Sequence, residues 1–234
     1  MDYPIIDIVL CLTIVGVTWC VASEGPWGAG LTFLCVLFGG LLAMNFFEPL
    51  ANWLGGISLI GEDFADVMAL TGLFAGFVFG LRAATDNLSP TSIDIDGRIY
   101  QVIRWGFALA TGYLTMAILL TALHTTPLPR TFLGFSPERK NLLDVDAPDR
   151  WWLGFNQYVS ETILRNNRIF DGPEFAPLAG DKKMIWPSFT IRYATRREMH
   201  GRPGKKPGLV TVGPAGQGGG TSTPAAPTSP GGGF

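Results

Sequence analysis

Two stretches fix what this chain can fold into. Gly25 to Phe47 runs for 23 residues without a Lys, Arg, Asp or Glu, and Trp105 to Pro129 runs for 25. A hydrocarbon core is crossed by roughly 17–25 apolar helical residues, and inside lipid a backbone must satisfy its own hydrogen bonds. Both stretches therefore read as membrane-spanning helices. Tyr3 to Ser23 is a third candidate, with Asp7 one turn inside and no charge from Ile8 to Ser23. The only charge ahead of its apolar run besides Asp7 is Asp2, whereas a secretory signal opens on basic residues, so it reads as a span and not a leader. Few residues, around Glu24, separate it from the next span, which forces an antiparallel hairpin. Phe64 to Ala84 is the fourth apolar helix. Only Val67 to Leu81 is uncharged there, 15 residues, so Asp66 and Arg82 belong near opposite interfaces.

This last helix carries Gly72, Gly76, Gly80 and Ala84 at four-residue steps. Glycine inside a helix costs about 1 kcal/mol relative to alanine, and small residues on one face let a second backbone approach inside a membrane. The span beginning at Trp105 offers Gly106, Ala110 and Gly112. The expectation is that Gly72, Gly76 and Gly80 pack against Gly106, Ala110 or Gly112. Glu48 to Asp63 is apolar for a loop and belongs in the interface, and Thr85 to Gly97, with Asp86, Asp94 and Asp96, is a solvated loop.

Charge divides the chain. The residues before His124 carry 3 basic against 10 acidic groups, net −7, and the remainder carries 14 against 9, net +5. Pro127 and Pro129 end the last span. Ser136-Pro137-Glu138 has the pattern of a short helix start. Asp149 is placed to cap a helix on which Trp151, Trp152, Phe155 and Tyr158, followed by Val159, Thr162 and Ile163, recur at helical spacing. Such an aromatic stripe suits an interfacial helix lying on a membrane, or packing on a small soluble subdomain. Phe189 to Tyr193 alternates as a short strand. Between Arg202 and Phe234, 16 of 33 residues are Gly or Pro, so that tail cannot bury a core and is expected to be disordered. The fold class that results is an all-α membrane protein: a four-helix transmembrane bundle over residues 1–127, a small polar region over 128–201, and a disordered tail over 202–234.

Catalytic signatures are missing. Gly134-Phe135-Ser136-Pro137-Glu138 lacks the second glycine of a nucleophile elbow, and no phosphate-binding loop ends in Gly-Lys-Ser or Gly-Lys-Thr. Cys11, Cys20 and Cys35 all lie in apolar runs, and the two histidines, His124 and His200, stand in distant segments. No catalytic residue, cofactor or metal is expected, and His124 is expected among headgroups or water. The basic residues Arg192, Arg196, Arg197, Arg202, Lys205 and Lys206 read as a solvated or lipid-touching arm and not as a nucleic-acid site.

Three stretches resemble the colicin V production (CvpA-like) family of membrane proteins. Ile5-Ile6-Asp7-Ile8-Val9-Leu10 is similar to that family's opening, with an acid just inside the first span. Glu24 to Leu54 resembles its short turn, small-residue second span and Pro-Leu, Trp-containing exit, here Glu48-Pro49-Leu50-Ala51-Asn52-Trp53-Leu54. Asp96-Gly97-Arg98-Ile99-Tyr100, leading through Gly106 to Gly112, resembles its Asp-Arg and spaced glycines, although Gly97 separates the acid from the base. The resemblance implies a multi-pass inner-membrane protein linked to toxin production or export and to envelope homeostasis, without a catalytic site. An accessory role is therefore expected, with the lipid bilayer and a membrane-protein partner or a second copy of the chain as contacts. A small-solute transporter or channel is the alternative. Arg82 and Arg104 abut spans, which places the loop between them in the cytoplasm and both termini outside.

Overall fold

The computed structural model describes residues 5–56, 64–88, 97–129, 132–136, 139–163, 175–178, 182–185, 189–190 and 193. The chain is an all-α multi-pass membrane protein. Four of its helices are long and apolar enough to cross a membrane: α1 (Ile5–Ala22), α2 (Gly25–Gly55), α3 (Ala65–Leu88) and α4 (Gly97–His124). A fifth helix, α5 (Pro148–Tyr158), runs on into a π-helical turn at Val159–Ile163. A small antiparallel ribbon pairs β1 (Phe175–Leu178) with β2 (Lys182–Ile185), Phe175 opposite Ile185.

The helices arrange as two antiparallel pairs, α1 with α4 and α2 with α3, joined by the contact of α2 on α4. The glycines that permit close approach are Gly39, Gly40 and Gly112. A Cβ on Gly39 would stand 2.8 Å from Cγ2 of Val78 on α3, and one on Gly112 would stand 2.8 Å from the Ile14 carbonyl and 2.5 Å from Thr18 Oγ1, both on α1. The expected packing of α3 on α4 is not what the fold uses. Gly72, Gly76 and Gly80 lie on the outside of the bundle with nothing near the position of a Cβ, and Gly106 is equally open. Ala110 is half-buried, and Gly112 does pack, but on α1. The physical reason is that α3 turns Ala65, Ala69, Leu70 and Phe74 onto α2, which leaves its glycine face pointing away.

Helix limits also move. α2 continues eight residues beyond Phe47, because Pro49 there forgoes only one backbone bond. α4 starts eight residues before Trp105, and Arg104 becomes structural: its guanidinium lies 5.5 Å over the Trp105 ring, and its Nε donates to the carbonyl of Ala22. That carbonyl belongs to the last residue of α1 and has no intrahelical partner. At the same end Glu24 accepts from Arg82 at 2.9 Å and from Thr32 Oγ1 at 2.8 Å, and Gly25, at φ 81°, makes the turn between α1 and α2. Phe189 and Tyr193, expected in a strand, are helical and buried, with Phe189 edge-on to Phe47 of α2 at 6.2 Å. The loop residues 57–63 and 89–96, Pro137 and Glu138, the basic residues from Arg192 onward, His200 and the Gly/Pro tail lie outside the described residues.

Adding a methyl group separates the two kinds of glycine. Gly112→Ala should destabilise by about 1–3 kcal/mol through overpacking against the α1 backbone, whereas Gly76→Ala should be neutral or stabilising. Thermal midpoints of the two variants in detergent check this, and equal losses would contradict it.

Candidate functional site

The polar chemistry inside this bundle gathers at the end where α1 begins and α4 finishes. Asp7, one turn into α1, is 1% exposed. A carboxylate cannot be left there without partners, since an unpaired buried charge is strongly destabilising. Its partners come from more than 130 residues away. Arg139 Nη2 donates to Asp7 Oδ2 at 2.9 Å, and the backbone N–H of Leu143 donates to Oδ1 at 3.3 Å. Arg139 is shared with Asp144, whose Oδ2 lies 2.9 Å away, and this bond holds the Asp144 carboxyl below the usual carboxylate range.

Two tight turns bring these groups to Asp7. Leu133 and Gly134 have φ of 50° and 89° between the paired Phe132 and Phe135, and Leu143 and Asp144 have φ of 53° and 59° between the paired Leu142 and Asp146. A leucine in the left-handed region costs about 1–2 kcal/mol. At Leu143 that conformation coincides with the N–H that meets Asp7. The first turn is tied to α1 by the N–H of Ile6 on the carbonyl of Leu133, 3.1 Å. Asn141, fully buried, holds the residue that follows the first turn by accepting from Ser136 N and donating to Ser136 O.

Asp146 and Asp149 fasten the start of α5. Asp146 accepts from the Tyr113 hydroxyl at 2.5 Å, from the Trp151 indole at 2.9 Å and from the N–H of Ala147 at 2.9 Å. The Tyr113 bond is the largest cause holding its carboxyl below the ordinary range, and burial opposes it. His124 Nε2 and Asp149 Oδ2 are 2.8 Å apart, both side chains fully buried, with Phe135 edge-on to the imidazole at 4.9 Å. The histidine is thus not among headgroups or water. Nor does Asp149 cap its helix: Ala147 precedes the first turn without a side-chain bond, and Asp149 turns inward to His124. Its second oxygen, Oδ1, has no protein partner.

The aromatic stripe divides between two faces. Trp152 is buried, its six-membered ring 2.8 Å from where a Cβ on Gly40 would lie and in the same core as Ile118, so it is not an interfacial side chain. Trp151, Phe155 and Tyr158 are exposed, with Phe155 stacked on Trp152 at 5.9 Å. The residues that sequence reasoning missed are Arg139, Tyr113, Asn141 and Asp146. The one signal available was Asp7, a charge inside a span that demanded a cation from somewhere. Among the described residues no cluster of three or more His, Cys, Asp or Glu could hold a metal.

Asp146 gives a pH signature. A carboxyl held below its unfolded value contributes stability that is fully present above about pH 4 and is lost as the pH falls through the folded value. The thermal midpoint should drop between pH 7 and pH 3, and Asp146→Asn should start lower at pH 7 and drop less. An equal drop in the variant would contradict the assignment.

No family model, curated protein or solved structure matches the chain, so its functional reading rests on this geometry and on the residues of the family resemblance.

Proposed function

We propose that the chain is a multi-pass accessory protein of the inner membrane, of the kind the colicin V production family represents, with both termini outside and a role in toxin production or export and envelope homeostasis. It acts by holding other membrane proteins and not by catalysis. The observation that carries this reading is where the ionisable groups sit. Asp7, His124, Asp149 and Arg139 pair in fastening one end of the bundle, and Glu24, Arg82 and Arg104 fasten the other. Between the ends α2 meets α3 through Gly39 on Val78, and α4 meets α1 through Gly112 on Ile14 and Thr18, by direct backbone approach. Carriers place ionisable groups along a path through the bilayer, and this arrangement favours a scaffold instead.

The outer face of α3 supplies the contact for a partner. Gly72, Gly76 and Gly80 form a smooth strip there, flanked by the exposed Phe79, and small-residue strips admit a second helix in lipid.

Mild-detergent purification tests the proposal. A membrane protein should co-purify in fixed stoichiometry, and Gly76→Ile, at a position whose Cβ has open space around it, should release it without moving the thermal midpoint. A chain that purifies alone and moves a solute across liposome membranes would overturn the reading in favour of a transporter or channel.

A further inference from the structure

We infer that α5 is a membrane-embedded element, a re-entrant helix whose outer face meets the boundary between acyl chains and headgroups in the leaflet at the Asp7 end of the bundle. The depth of Trp152 is read from two helices independently. Its ring packs at Gly40, eight residues inward of Glu48 on α2, and beside Ile118, six residues inward of His124 on α4. At 1.5 Å per residue these are about 12 Å and about 9 Å. Glu48, His124 and Asp7 are the innermost acidic or basic residues of their spans at this end, so the Trp152 ring reaches inward past them.

The charge pattern agrees with that depth. From Trp151 to Ser160 the helix carries no Lys, Arg, Asp or Glu. One face, Trp152, Leu153, Asn156 and Val159, is buried against the bundle. The opposite face presents Trp151, Phe155 and Tyr158, at 70%, 37% and 55% exposure, followed by Ile163. A helix whose packed face is already covered has no reason to be apolar outside unless its surroundings are apolar too. Tryptophan and tyrosine are enriched where hydrocarbon meets headgroups. An apolar exterior is also what α1 presents, where Leu12 and Val15 are exposed. The polar groups that begin α5 fit a helix starting at the polar end of the bundle: Asp149 is paired with His124, and the indole N–H of Trp151 is satisfied by Asp146.

The test uses spin labels on the full chain in lipid nanodiscs. With Cys11, Cys20 and Cys35 replaced by alanine, labels are placed singly at Tyr158→Cys, at Leu12→Cys as a lipid reference and at Lys140→Cys, an exposed charged position, as a water reference. Collision with oxygen should exceed collision with a water-soluble nickel chelate several-fold at 158, as at 12, with the ratio reversed at 140. A ratio at 158 matching that at 140 would overturn the inference. A measurement on the unaltered chain guards against disturbance by the label. In nanodiscs carrying a lipid photoprobe reactive at the shallow acyl carbons, the tryptic peptide Trp151–Arg165 should acquire adducts. Adducts confined to peptides of α1 to α4 would overturn the inference as well. Neither readout depends on whether a partner protein exists, so failure here is distinguishable from failure of the accessory role.

Discussion

A carboxylate one turn inside an apolar span governs how the rest of the chain is arranged. Asp7 is closed off from solvent, and a lone charge in that position is worth several kcal/mol of destabilisation. The chain therefore has to return to it after four crossings. Arg139 and the N–H of Leu143 make that return. Once they are fixed, the two left-handed turns, the placement of Asp146 under Tyr113 and the direction in which α5 leaves are largely determined. The polar region is consequently bound into the bundle and shares its core, with Trp152, Leu153, Phe189 and Tyr193 packed among residues of α2, α3 and α4.

The two ends of the bundle solve the same problem by different means. At the Glu24 end the partners belong to the spans and the turn between them: Arg82 of α3 reaches Glu24 and Asp86, and Arg104 of α4 takes up the last carbonyl of α1. Those residues tie together the ends of helices that already touch. At the Asp7 end the partners come from a segment that follows the last span, more than 130 residues along the chain.

The four spans were legible because lipid imposes a length and excludes charge, and both constraints can be read along the sequence without knowing any contact. The glycine faces were legible only as a chemical possibility. Spacing identified Gly72, Gly76 and Gly80 as a strip that another backbone could approach, but which helix approaches depends on how α3 is rotated, and its alanines and Phe74 decided that in favour of α2. Gly39, Gly40 and Gly112 are the glycines at which neighbouring helices approach closely. The polar end was the least legible part. Asp7 announced a need, yet nothing local links it to Arg139, and Asp149 has the spacing of a helix cap while it serves as the partner of His124. Trp151 and Trp152 look alike in sequence and separate only when α5 docks.

The central claim is that Asp7 and Arg139, far apart in sequence, are energetically coupled, and a double-mutant cycle measures this directly. Chemical or thermal unfolding in detergent of the unaltered chain, Asp7→Asn, Arg139→Gln and the double variant yields the coupling. The account predicts that each single variant is destabilised and that the double variant recovers about 1–3 kcal/mol of the summed loss. Strict additivity of the two losses would contradict it.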